Sequence, residues 1–242
     1  MPPKSKIPKD AITESGMINF YKVLPKSMLI EAKNPNYHLH RFKLPFRACV
    51  VAPSGSGKTS WLLNFIHLCC QGQTGTFADI TIITRNADEP LYNYLKTKSD
   101  AIQIKEGLSN LPQLDKYDKK ENHLVCFDDL VLSKDLSAVE NYYIRARKLN
   151  VSVIFISQSY FKIPKIIRSN CSYMILLKLS GDRELNLILS ESGLGLDKDQ
   201  MLKLYRFATD EKLSPLIIDM EADINEKYRK GFLHFLNPSD FA

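Results

Sequence analysis

The order of apolar segments predicts an α/β protein with a mainly parallel central sheet flanked by helices. Short β-branched runs alternate with amphipathic stretches, the pattern of strands joined by helical crossovers and covered on both faces. A Gly/Ser loop joins the first strong strand candidate to the first strong helix candidate. The 242 residues, 44% hydrophobic and 25% charged, have the make-up of an ordinary globular chain, which excludes wholesale disorder and coiled coil.

Residues 1–10 hold three prolines and three lysines and read as a mobile basic tail. Residues 11–43 are mixed, with a turn at Asn34-Pro35-Asn36. The expected organisation is a basic, partly disordered segment over 1–37 and one folded α/β domain over 38–242. The stretch 46–52 (FRACVVA), bounded by two prolines, reads as a buried strand. A helix follows over 58–70, with Trp61, Leu62, Phe65, Ile66 and Cys69 at helical spacing. Further strands are expected at 78–84, 101–105, 123–127, 151–157, 171–179 and 214–220. Helices are expected at 89–98, with Pro90 in the first turn, and at 133–149, 182–192 and 197–208.

The formal net charge is +6, and residues 1–43 carry eight Lys/Arg against three Asp/Glu. Such a field attracts polyanions, and it equally serves solubility. No apolar run reaches the roughly 18 residues of a membrane helix, and the N-terminus lacks a signal-peptide core. The reading is a soluble intracellular protein without a membrane role. The five cysteines lie in apolar segments without C-x-x-C spacing, as expected of small buried hydrophobes in a reducing compartment. His38 and His40 make an H-x-H pair that no carboxylate or cysteine cluster joins, so no metal site is expected there.

The loop after the first strand reads Ala52-Pro-Ser-Gly-Ser-Gly-Lys58-Thr59, which departs from the P-loop pattern G-x-x-x-x-G-K-[ST] only at Ala52. Gly55 and Gly57 allow the backbone to wrap its N–H groups round a phosphate, and the next helix aims its positive end at the same anion. Ser54, Gly55, Ser56, Gly57, Lys58, Thr59 and Ser60 are the expected ATP-binding residues. Lys58 reaches the β/γ-phosphates and Thr59 ligands Mg²⁺. The strand at 123–127 ends in Asp128-Asp129. Asp128 is expected on the metal, and Asp129 is placed to polarise the attacking water. Two strand candidates separate the two motifs, as in the P-loop branch that inserts an extra strand between them. Two look-alikes are set aside. Thr97-Lys-Ser-Asp100 precedes the metal-binding strand where a guanine-specificity motif should follow it, and Leu179-Ser-Gly181 lacks the second glycine of a transporter-ATPase signature.

The strand over 151–157 ends at Gln158, which is placed to sense the γ-phosphate or the attacking water. Arg145 and Arg147 close the helix before it and serve either its dipole or a neighbour's site. Together, APSGSGKT, VCFDDL, YIRARK and VSVIFISQSYFKIPKIIRSN resemble the genome-packaging ATPases of the FtsK–HerA superfamily, in the poxvirus, giant-virus and virophage branch. Leu44-Pro-Phe-Arg47 and Glu89-Pro-Leu-Tyr-Asn-Tyr-Leu95 add to the likeness, which covers about residues 38–235. The resemblance implies a RecA-like P-loop fold and ATP hydrolysis coupled to translocation of double-stranded DNA into a capsid. It matches Lys58 and Thr59 to the Walker A pair, Asp128 and Asp129 to the Walker B pair, and Gln158 to the sensor. Arg147 is the expected finger acting in trans, with Arg145 and Arg168 in reserve.

The partners implied are double-stranded DNA, other copies of the chain in a hexameric or pentameric ring, and viral capsid proteins. The location implied is the virus factory of the host cytoplasm, with association with the virion as a second placement. Lys162 and Lys165 and the basic tail are the expected DNA contacts. The competing readings are a small-molecule P-loop kinase and a nucleotide-gated assembly protein that does not hydrolyse ATP.

Overall fold

The computed structural model describes residues 7–25, 28–29, 32–130, 133, 135–192 and 194–242. The first six residues of the Pro/Lys-rich tail therefore lie outside the described residues. The chain divides into two compact units, Met1–Glu31 and Ala32–Ala242. In the smaller unit, 3₁₀ turns at Lys9–Ala11 and Phe20–Lys22 accompany a β-bridge between Ile12 and Ile18.

In chain order the larger unit runs α1 (Tyr37–His40), β1 (Arg47–Val51), α2 (Lys58–Cys69), β2 (Asp79–Thr84), α3 (Pro90–Lys96), β3 (Ile102–Glu106) and β4 (His123–Asp128). It continues through α4 (Ser137–Arg145), β5 (Val151–Ser157), α5 (Lys165–Arg168), β6 (Tyr173–Leu176), α6 (Asp182–Ser192) and α7 (Lys198–Ala208). It ends with β7 (Leu216–Asp219), α8 (Ile224–Lys227), β8 (Tyr228–Lys230) and β9 (His234–Leu236). The strands form one sheet in the order β3-β2-β4-β5-β1-β6-β7-β8-β9. The first six strands in that order are parallel; β7, β8 and β9 are antiparallel to their neighbours.

The sheet is mainly parallel, as expected, and the connection explains the reversal at β7. Between β6 and β7 the chain crosses the sheet twice, down α6 and back up α7, with Asp182 at the start of α6 facing Arg206 near the end of α7 at 3.7 Å. An even number of crossings returns the chain to the edge it left, so the next strand must run the other way. The hairpin β8–β9 also escapes the sequence pattern, because three-residue strands are too short to show a period. Helix α4 is shorter than expected and gives way to a 3₁₀ turn at Ala146–Leu149.

Alternation along the strands builds two cores. Cys49, Val51, Val125, Phe127, Val153 and Phe155 face α4, α5, α6 and α7. Ala48, Val50, Leu124, Cys126, Ile154 and Ile156 face α2 and α3. Helix α7 is fixed at its start by a capping box, in which Asp197 accepts from Gln200 N and Gln200 answers with its side chain. Of the cysteines, Cys49, Cys69 and Cys126 are buried as expected, whereas Cys70 is exposed. Cys70 follows the last core position of α2 and falls on the helix's C-cap.

Candidate active site

Strand β1 carries the chain through the interior and delivers it at Ala52, whose N–H donates to Ser157 O at 3.1 Å. Ala52 has no exposed surface, so the residue that departs from the motif sits on the sheet side of the loop. The loop then turns through Gly55 (φ 76°) and Gly57 (φ 91°). Gly57 is the N-cap of α2 and offers no side chain to the first turn. The N–H groups at the start of α2 are therefore left for an anion, next to Lys58, Thr59 and Ser60. Lys58 Nζ donates to Pro53 O at 2.9 Å, which holds the ammonium against its own loop.

A strand does lie between β1 and β4, but it is β5; the two candidates that separate the motifs in sequence, β2 and β3, lie on the far side of β4. The two motif strands are thus two strands apart, about 10 Å. Asp128 shares the Cys126 and Leu124 face of β4, which is the face covered by α2 and α3. Tyr92 of α3 donates its hydroxyl to Asp128 Oδ2 at 2.7 Å, and both residues are buried. The Asp128 carboxyl is pushed up to about 6, chiefly by burial, with Glu89 and Asp129 adding to the rise and the Tyr92 hydrogen bond and Lys58 opposing it. Burial likewise lowers the Lys58 ammonium, opposed by Asp128, Asp129 and Glu89.

Asp129 takes a left-handed backbone (φ 53°), a conformation that aspartate tolerates better than most residues. Its N–H donates to Ile156 O at 3.3 Å. Gln158, one residue past β5, donates Nε2 to Asp129 Oδ1 at 3.2 Å. The structure so brings together Lys58, Asp128, Asp129 and Gln158 at the carboxyl ends of the parallel strands, where ligands of open α/β sheets bind.

The arginines lie elsewhere. Arg147 precedes β5 and is therefore a full strand length from Gln158, about 20 Å. It is half exposed and lies 3.4 Å from Glu221. Arg145 is exposed at the end of α4. Arg168 is engaged within its own chain, over the Tyr160 ring and 3.1 Å from Glu191. Lys162 and Lys165 are exposed on the segment after Gln158.

Three contributors escaped the sequence reading. Tyr92 of α3 and Glu89, the residue that caps its start, act on Asp128 from the EPLYNYL stretch. Glu184 of α6 accepts from Ser159 Oγ and, at 3.0 Å, from Tyr160 N, fixing the segment that follows Gln158. None carries a local signature, because each acts through a contact far along the chain.

For Mg²⁺ the donor chemistry fits. The Thr59 hydroxyl and the Asp128 carboxylate are hard oxygen donors, and Tyr92 occupies only one carboxylate oxygen. Mg²⁺ is characteristically bound by one or two carboxylates together with substrate phosphates.

The sequence and the fold are similar to those of known proteins. The chain is 26% identical over 190 residues to the DNA packaging protein OPG160 of Vaccinia virus (strain Copenhagen), covering 73% of this chain and 70% of that protein. The Variola virus protein of the same name is 25% identical over 193 residues, covering 75% and 71%. The fold matches the genome packaging NTPase B204 from Sulfolobus turreted icosahedral virus 2 in complex with AMP, with a TM-score of 0.57 at 14% identity, over 78% of this chain and 98% of that one. It also matches the cytoplasmic domain of the Type VII secretion ATPase EccC of Thermomonospora curvata, with a TM-score of 0.52 at 12% identity, over 78% and 25%. The family model described as Poxvirus A32 protein matches residues 37–227, and the chain belongs to that family.

Proposed function

We propose that this chain is a viral DNA-packaging ATPase, which hydrolyses ATP at the P-loop to move double-stranded DNA into a capsid. The observation that carries the reading is the convergence of Lys58, Asp128, Asp129 and Gln158 at one strand end, in a chain whose relatives are DNA packaging proteins. The folded body over 38–242 would be the ATPase domain, preceded by the basic segment 1–37.

Mg²⁺ held by Thr59 and Asp128 would neutralise phosphate charge and orient the leaving group. Lys58 and the N–H groups of residues 54–60 balance the charge of the β- and γ-phosphates. Asp129 takes the proton of the attacking water. Gln158, on the Asp129 carboxylate, fixes that carboxylate and the water together. Tyr92 positions Asp128 by occupying Oδ2.

Arg147 cannot reach its own subunit's site, so it supplies transition-state charge to a neighbour in a hexameric or pentameric ring. DNA is held by phosphate contacts from Lys162, Lys165 and the basic segment, without base reading. Capsid proteins are the further partners, and the virus factory of the host cytoplasm is the working location.

Hydrolysis measured with and without double-stranded DNA tests this, using wild type, Lys58→Ala and Asp129→Ala. DNA should raise turnover at low salt, and each variant should lose on the order of 100-fold. Asp129→Ala should keep ATP binding. Turnover indifferent to DNA, with phosphate passed to a small acceptor, would instead identify a kinase. ATP binding without turnover would identify an assembly protein.

A further inference from the structure

The residues on either side of Gln158 are tied to different parts of the molecule. Strand β5 ends at Ser157, which is fully buried and whose carbonyl accepts from Ala52 N at the start of the phosphate loop. Ser157 Oγ donates to Ser159 O at 2.8 Å and accepts from Ser159 N at 3.2 Å, closing a small ring of hydrogen bonds around Gln158. Gln158 itself is exposed, and its side chain donates to Asp129.

Glu184 holds the other side. It stands in the first turn of α6, where a carboxylate commonly serves the free N–H groups of its own helix. Here Glu184 Oε1 reaches a different element and accepts from Ser159 Oγ and, at 3.0 Å, from Tyr160 N. Hydrogen bonds to an ionised oxygen are about twice as strong as neutral ones. Two turns further along the same face, Glu191 accepts from the Tyr160 hydroxyl at 3.1 Å and pairs with Arg168 at 3.1 Å. Arg183 lies over the Phe161 ring at 5.1 Å. Helix α6 thus grips the segment 159–168 at both ends, and exposed Lys162 and Lys165 lie between the grips.

A segment free at Ser159 would absorb any displacement of these lysines by rotation of its backbone. Fastened at Ser159 and at Arg168, it moves with α6 as one body, and Gln158 at its edge moves with it.

We propose that Glu184 is a positioning residue that couples DNA to hydrolysis. Duplex phosphates on Lys162 and Lys165 set the placement of Gln158 against Asp129 through the Glu184 contact with Ser159 and Tyr160. This role rests on the reading of the chain as a DNA-stimulated ATPase and adds the route by which DNA reaches the site. Glu184 acts on the reaction through Gln158, so its effect belongs to the ratio of turnover with DNA to turnover without it.

That ratio separates coupling from support of the fold, since a merely structural loss lowers both rates together. ATP hydrolysis by the full chain is measured with and without duplex DNA at low salt, and duplex affinity is followed by fluorescence anisotropy. Wild type should be stimulated. Glu184→Ala should lower the stimulation about 3- to 30-fold while still binding the duplex. Glu184→Gln keeps the acceptor oxygen and should keep most of the stimulation. Ser159→Ala removes only the Oγ donor and should lose part of it, and adding this change to Glu184→Ala should remove nothing more. An unmoved ratio in Glu184→Ala overturns the coupling, and so does a loss that merely tracks weakened duplex binding. Should Glu184→Ala not fold, an unmoved ratio in Ser159→Ala overturns it instead. A stimulated wild type beside an unmoved variant removes Glu184 and leaves the packaging reading intact. A wild type indifferent to DNA sinks that reading, and the coupling with it.

Discussion

Gly57 shows how much one missing side chain decides. Its φ of 91° is unfavourable for any L-residue, and a Cβ there would collide with Leu213. Gly57→Ala should therefore destabilise the protein by about 1–2 kcal/mol through its backbone alone, with the displaced leucine adding to the loss. Urea denaturation of Gly57→Ala and of the double variant with Leu213→Ala separates the two parts. The second change should relieve the collision and leave the backbone cost in place. A Gly57→Ala protein as stable as wild type would refute the account. Lys58, Asp128, Asp129 and Gln158 were legible in the sequence because each stands at a fixed place beside a strand or a glycine loop. Tyr92 was not, because its role appears only when the chain brings it to Asp128, 36 positions away. Leu213 was hidden for the same reason.

At the scale of elements, the six parallel strands were legible from β-branched runs, whereas the C-terminal hairpin and its clamp were not. Arg229 of β8 is fully buried, lying over the Phe42 and Tyr173 rings and donating to His40 O at 3.2 Å and Phe232 O at 3.1 Å. It ties the four-residue helix α1 to the far edge of the sheet. Nothing in a Tyr-Arg-Lys triplet announces such a contact, since an arginine in sequence reads as surface. His40 makes the clamp sensitive to acid. Burial, then the Arg229 and His38 charges, lowers its imidazole to about 4, and its Nδ1 accepts from Phe42 N at 3.0 Å. The folded state therefore binds fewer protons than the unfolded state between pH 6.5 and 4. Stability from this group is whole above pH 6.5 and is lost as pH falls through that window. At pH 5 the loss should be about 2 kcal/mol relative to pH 7. Asp128 works in the opposite sense, because its raised carboxyl favours the folded state as pH falls from about 6 toward 4. The comparison with His40→Gln isolates the histidine. Denaturation midpoints at pH 7 and pH 5 should converge in the variant, and an undiminished acid loss would acquit His40.

At the scale of the whole molecule, the sheet has two ends with different chemistry. The carboxyl ends of the parallel strands gather the phosphate loop and the carboxylates, while Arg147 stands at the amino end of β5. On the proposed reading, in which Asp129 is the base and Arg147 the finger, a chain with the two at opposite ends of its sheet would not complete a site alone. It can do so with a neighbour placed head-to-tail, and such contacts form a ring when the rotation closes. The arrangement makes a prediction about mixtures. Arg147→Ala subunits keep their carboxylates and lack the arginine; Asp129→Ala subunits keep the arginine and lack the base. Each alone should hydrolyse ATP poorly, with Arg147→Ala lowered at least 10³-fold if the arginine acts as fingers in other phosphoryl-transfer enzymes do. Mixed together, some interfaces join an intact Asp129 to a neighbour's intact Arg147, and DNA-stimulated hydrolysis should reappear in proportion to those interfaces. The recovery should peak near equal amounts of the two variants and vanish on dilution below the assembly concentration. Full activity of Arg147→Ala by itself would remove Arg147 from the mechanism and leave exposed Arg145, at the end of α4, as the residue to exchange next. The concentration dependence of wild-type hydrolysis then decides whether any neighbour is needed.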